Sequence, residues 1–391
     1  MKLLLSCALF LSSIYQAVNS QQLTQCRSIS VRREVRSIPA NEWNSIQRTL
    51  TRIRDDGWLA WMARVHTDNF GVVHGNPMFF PFHRMVLYDF ERVGRRYDPN
   101  FSVPYWDSAR DFSRPAASSV LSPRYIGTNG AGPNNCVSNG IQGGWQVSYP
   151  TRRCLRRVYN NGNAIQPWYS PEFVESLTQR STTLDSFRSG LEYSLHGAVH
   201  IGMGGDMGAR EAPNDLAFML HHANLDRIWW RWQKIGQNMM KYDGNGPSGR
   251  VSLDNRITVY GDTVSSVMRL GYGKMCFSYD TDPIGRNGFG KRDSLSPSGL
   301  NLTNVDASVL TKYFPLTAKE VGTRHSGMKS ERILSSADGS YKMPYPFPMS
   351  ESFAKMHGYN LEVAKKVRKD AVDLIDDLQK YGYRSPYYQG A

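Results

Sequence analysis

Seven of the nine histidines in this 391-residue chain fall into two short stretches, residues 66–83 and 196–222. In the first, His66, His74 and His83 are spaced so that a helix end, a loop and the start of the next helix can converge on one point. In the second, His196 and His200 stand four apart on one helical face, and His221-His222 follow on the next helix. Each stretch supplies three imidazoles. A single histidine on an apolar face is usually a core residue, but six in two sets on four helices need a common cause. Helical bundles build metal centres from side chains that project inward on facing helices. The expected fold is therefore mainly α: a four-helix bundle holding a dinuclear metal site, with long disulfide-pinned loops and a few short β-strands.

The apolar spacing supports that architecture. Trp43, Ile46, Leu50 and Ile53 predict a helix over 41–64 leading toward His66, with Pro39 suited to its start. Phe82, Val86, Phe90 and Val93 predict a second, with His83 in its first turns. A third runs through Phe187, Leu191 and Leu195 to near Gly202, and a fourth follows Pro213-Asn214-Asp215 through Trp232, capped by Asp215 or Asn214. Residues 108–170, rich in Gly, Asn, Ser and Pro, predict a long irregular excursion. Ile257–Tyr260 and Met275–Tyr279 read as short strands, and Val363, Val367, Val372 and Ile375 as a C-terminal helix.

The first twenty residues combine Lys2, an apolar run to Leu11 and the small-residue end Val18-Asn19-Ser20, which predicts a signal peptide over 1–20 and a secreted, extracellular protein starting near Gln21. Loss of Cys7 with it leaves Cys26, Cys136, Cys154 and Cys276, an even set in an oxidising compartment. Cys136 and Cys154 flank one loop and form the local candidate pair, although four cysteines permit three pairings. Sequons at Asn100 and Asn301 suit a secreted glycoprotein. The net charge of +13 is dispersed, which argues against nucleic acid as a partner, and no later stretch reads as a membrane span. Oligomeric state leaves no mark in the sequence.

All-imidazole sites suit copper or zinc, and copper binds most strongly among first-row metals. A bundle-type di-iron site would carry Glu-x-x-His pairs, and a zinc hydrolase a carboxylate ligand or His-Glu-x-x-His; both patterns are missing from the clusters. Three imidazoles per ion without a carboxylate leave a position open for oxygen, which points to redox chemistry.

The segment His74–Arg84 (HGNPMFFPFHR) resembles the first copper motif of tyrosinases and catechol oxidases, the type-3 copper family, and Pro104–Asp107 (PYWD) the segment after it. Leu195–Met207 (LHGAVHIGMGGDM) and Pro213–Trp229 (PNDLAFMLHHANLDRIW) resemble the second motif. The likeness covers about residues 26–280, and the tail, with Lys355–Gly358 and Gly382–Pro386, is similar to secreted invertebrate, especially molluscan, members. It implies two copper ions with O2 as co-substrate, held by His66, His74, His83, His196, His200 and His222, while His221 orients the surroundings. Side chains adjacent on a helix diverge by about 100°, in keeping with a single ligand from that pair. Asn214, Asp215 and Asp226 match positions that orient ligand imidazoles, and Phe218 a buried aromatic near the metals.

Glu192 resembles a carboxylate that holds the water deprotonating monophenols, although Gly197 stands where bacterial members have Asn. Gly197, Ile201 and Arg210 match the substrate entrance, and Val72 replaces a cysteine that many members cross-link to the second ligand. The implied activity is oxidation of o-diphenols to o-quinones and ortho-hydroxylation of monophenols, acting on small phenols or on tyrosine and DOPA in proteins and feeding melanin or quinone cross-linking. The rival is a haemocyanin-like oxygen carrier, which uses the same site without turnover. The expected organisation is a copper domain over 21–290 and an extension over 291–391, with Tyr345, Phe347 and Phe353 as candidates to cover the entrance.

Overall fold

The computed structural model describes residues 23–280, Leu300, Leu302, 305–324 and 341–390. The expected signal peptide and the sequon at Asn301 lie outside them. Helix α1 (Ala40–Asp55) buries Trp43, Ile46, Leu50 and Ile53, the stripe its spacing dictates. The sequence spacing suggested one helix over 41–64. Instead Gly57, at φ +80°, turns the chain left-handed after Asp55-Asp56, and α2 (Trp58–Val73) starts afresh and carries His66. His74 is its C-cap, and α3 (Phe79–Gly94) follows with Pro81 in its first turn, where a missing N–H costs nothing.

After the loop excursion come α4 (Pro171–Arg180), α5 (Leu184–Leu191) and α6 (Gly197–Met203). The expected third helix is thus divided: a π-helical turn, Glu192–His196, joins α5 to α6. Such one-turn widenings gather at functional sites. Asp215 caps α7 (Leu216–Gln233) by accepting from the Ala217 N–H. Every residue of α7 is buried, which makes it the axis of the fold. The rest of the described helices are α8 (Val264–Val267), α9 (Ala307–Tyr313), α10 (Pro315–Arg324), α11 (Glu351–His357) and α12 (Leu361–Lys380).

Helices α2, α3, α5–α6 and α7 form the bundle, with α3 packed along α7. Ser30–Arg32 pairs in parallel with Phe277–Tyr279, and the Cys26–Cys276 disulfide ties the two segments together beside that pairing. Ile257–Tyr260, expected as a strand, is instead a turn in which the Gly261 N–H donates to the Ile257 carbonyl. Cys136–Cys154 pins the excursion next to the antiparallel pair Gln146–Val147 and Arg153–Cys154. Arg157 binds it to the start of α7 by a buried two-pronged contact with Asp215, at 2.6 and 2.8 Å. No described helix is long and apolar enough to cross a membrane.

The excursion meets the end of α6 at Gly204-Gly205, both at positive φ. A Cβ on Gly205 would lie 2.3 Å from the Arg156 carbonyl oxygen. Gly205→Ala is therefore expected to lower stability by at least about 1–3 kcal/mol from the backbone alone. Urea unfolding that matches the parent would contradict this.

Candidate metal centre

The bundle brings the six histidines expected as ligands into two buried groups, His66, His74 and His83, and His196, His200 and His222. Within each group the ligand nitrogens lie inside 4.8 Å of one another. Five of the rings are fixed by backbone carbonyls at Nδ1: Arg210 O for His66 at 2.6 Å, Phe70 O for His74 at 3.0 Å, Phe79 O for His83 at 2.7 Å, Glu192 O for His196 at 3.2 Å and Met207 O for His200 at 2.6 Å. A carbonyl only accepts, so each Nδ1 carries the proton and each Nε2 keeps its lone pair. Burial holds His66 down at about 3 and His200 at about 4, and keeps His74, His83, His196 and His222 well below the usual imidazole range. All six are neutral at physiological pH.

The Nε2 atoms of His66, His83 and His196 are buried without a partner. His200 Nε2 and His222 Nε2 face each other at 3.3 Å. Buried lone pairs left bare carry a desolvation cost that a cation between them removes. The donor set therefore fits two metal ions. His83 of one triad stacks on His222 of the other, with centroids 4.2 Å apart, so the two metal positions adjoin.

A family model described as the common central domain of tyrosinase matches residues 34–235, just over half of the chain. The chain belongs to the tyrosinase family. It is thereby an oxidoreductase of the tyrosinase and catechol oxidase kind, and its two triads are positioned for a pair of copper ions that use O2. The tyrosinase of Streptomyces antibioticus is 29% identical over 266 residues, 61% of this chain and 96% of that protein. Tyrosinase-like protein phomQ2 of Diaporthe leptostromiformis is 28% identical over 297 residues, 67% of this chain and 76% of that protein. A mutant polyphenol oxidase of Thermothelomyces thermophila shares the fold, with a TM-score of 0.56 at 20% identity over 64% of this chain and 88% of that one.

Other residues that the tyrosinase motifs single out have partners of their own. Asn214 Nδ2 donates to the Tyr149 carbonyl, Asp215 pairs with Arg157, and Asp226 takes Arg84, Arg32 and the Tyr279 hydroxyl. Their hydrogen bonds go to these groups and not to the six rings, five of which are oriented by main-chain carbonyls. Phe218 lies between the triads, 5.0 Å from the His66 ring and 4.1 Å from His222. His221 is buried beside His196 and His200 but stands outside both triads. Val72 is exposed.

Glu192 is fully buried. Its Oε1 accepts from the Gly75 N–H and the Tyr359 hydroxyl, each at 2.8 Å, and its Oε2 from Arg188 at 2.6 Å. Burial raises its carboxyl above the usual range, against the pull of Arg188. Arg210 is exposed, with its guanidinium 5.2 Å from the Phe70 ring. A Cβ on Gly197 would meet Met349 Cε at 2.8 Å and Phe353 at 3.4 Å, and Ile201 packs against the same C-terminal cluster.

Among the aromatics expected as a cover, Phe353 alone reaches the site. Tyr345 is exposed and bonds to Asp376, and Phe347 packs into the main core. His357 lies 5.0 Å from the His74 ring and 6.0 Å from His196. Its contact, like those of Met349 and Tyr359, went unforeseen. The four-residue spacing of Phe353 and His357 was a usable signal for one face of a short helix.

Proposed function

We propose that this enzyme is secreted and oxidises o-diphenols to o-quinones, and that it also hydroxylates monophenols such as tyrosine at the ortho carbon. The observation that carries the reading is the pair of neutral imidazole triads, with five rings fixed by carbonyls and the Nε2 atoms of His66, His83 and His196 left bare. His66, His74 and His83 would hold one copper ion, and His196, His200 and His222 the other. The copper pair supplies the redox chemistry with O2: two o-diphenols give two quinones and two waters, and one monophenol gives one quinone and one water.

The chain's own part is to hold, orient and shield. Carbonyls fix five of the rings, Phe218 keeps water from the space between them, and Gly197, Ile201 and Arg210 border the path of the phenol. Glu192 is assigned as acceptor of the phenol proton, directly or through one water. With Tyr359 and Gly75 on one oxygen and Arg188 on the other, it has donors already. Oε2, with Arg188 alone upon it, keeps the acceptor position for the phenol proton. We assign the extension, from about residue 291, as the cover of the entrance, through Met349 and Phe353. Asn100, exposed in a turn, is assigned as a glycosylated residue.

Oxygen uptake by the copper-loaded protein on L-tyrosine and on L-DOPA, before and after limited proteolysis, tests this reading. Uptake on both substrates that rises after cleavage is expected. Uptake on L-DOPA alone would remove the role of Glu192, and uptake on neither would favour the oxygen carrier. Gly197→Asn should displace Met349 and Phe353 and raise the activity of the uncleaved chain toward the cleaved level. Unchanged activity in that variant would remove the cover.

A further inference from the structure

Four of the six triad histidines are tied firmly at Nδ1, by carbonyls 2.6 to 3.0 Å away. His222 makes no hydrogen bond at Nδ1 at all, and His196 has the longest of the carbonyl links, 3.2 Å to Glu192 O. The cause is local: His196 ends the π-helical turn, whose wider spiral moves the carbonyl four residues back away from the ring. A second oxygen stands beside the same nitrogen. Tyr359 Oη is 3.4 Å from His196 Nδ1 and donates to Glu192 Oε1 at 2.8 Å.

Tyr359 is held there from every side. It is the middle residue of the three-residue link from α11 to α12, between Gly358, at φ +66°, and Asn360, whose side chain caps α12 through the Glu362 and Val363 N–H groups. Its N–H donates to the Ala354 carbonyl at 2.8 Å, and its ring stacks on Tyr193 with centroids 4.2 Å apart. The same phenol ring lies 3.7 Å from the place a Cβ would take on Gly75, next to His74.

We infer that Tyr359 is a positioning residue for the His196 ligand. It accepts from His196 Nδ1–H and donates its own O–H to the Glu192 carboxylate, so a segment outside the bundle adds to the support of the second triad. Metal-bound histidines are generally backed by a carboxylate or carbonyl at the far nitrogen, which fixes the ring and strengthens it as a donor. Here a tyrosine bridges the histidine and the carboxylate, and it comes from the chain that covers the entrance. Removing that segment thus has two opposite consequences: substrate gains access, and the second ion is held less firmly.

This inference rests on the ligand assignment proposed above, and the test separates the two. Full-length copper-loaded protein is challenged with a chelator, and ions per chain are counted with time for the parent, Tyr359→Phe, Glu192→Gln and His222→Ala. Tyr359→Phe keeps the ring stacked on Tyr193 and deletes only the hydroxyl. It should release one of its two ions about 10 to 100 times faster than the parent, the usual cost of losing such a support. The other ion should leave at the parental rate, and Glu192→Gln should show the same asymmetry. Thermal unfolding of the metal-free proteins checks that both variants fold. Parental release of both ions from Tyr359→Phe would overturn the positioning role, as would equal acceleration of both, which marks general loosening. Retention of two ions by His222→Ala would overturn the ligand assignment itself.

Discussion

Replacing His222 with alanine should leave the protein with one copper ion in place of two and lower oxygen uptake on L-DOPA by more than about 100-fold, the upper end of what loss of a mere ligand support costs. His222 is buried at the crossing of α3 and α7, with its ring stacked on His83 and its Nε2 3.3 Å from His200 Nε2. Alanine removes one of three donors and leaves a cavity that only water can enter. Metal analysis and an oxygen electrode read the two effects separately. Two ions with unchanged uptake would mean that His221, its neighbour outside the triad, is the ligand instead. His221→Ala is the control expected to keep both ions.

The second large effect concerns stability. Asp226→Asn is expected to cost about 3–5 kcal/mol, the range for breaking a buried ion pair on one side. Asp226 accepts from Arg84 Nε at 2.6 Å, from Arg32 Nη1 at 3.4 Å and from the Tyr279 hydroxyl, all within the core. Glu91 also binds Arg32, at 3.0 Å, so two guanidinium groups share two carboxylates out of reach of water. Neutralising Asp226 leaves Arg84 with carbonyl and amide acceptors only, from Val267, Met268 and Gln233. Arg84 follows His83, and Asp226 lies one turn beyond His222, so the network also fixes how α3 meets α7 at the ligands. Urea unfolding measures the loss, and a change below about 1 kcal/mol would show that the network carries little net stability.

Much of the molecule was legible because it depends on local pattern. The two histidine clusters, the periodic apolar stripes of α1, α3, α7 and α12, the cap at Asp215 and the Cys136–Cys154 pair all follow from residues near one another in the chain. The break at Gly57 was legible too, but the continuing apolar spacing masked it.

The remainder depended on contacts between residues far apart. Glu192 read as a carboxylate that holds a water for monophenols, and its partners were hidden: Arg188, the Gly75 N–H and the Tyr359 hydroxyl bind its oxygens, the last from 167 residues away. Asn214, Asp215 and Asp226 carried motif positions, yet their partners Tyr149, Arg157, Arg84 and Arg32 come from other parts of the chain. The sequence by itself determined which side chains can bind copper, since imidazoles at helical spacing on facing helices have few other uses. Only the tertiary structure decided how those rings are held and which side chains pack beside them. A hydrogen bond is set by where a donor and an acceptor meet in space, and the spacing of residues along the chain does not carry that information.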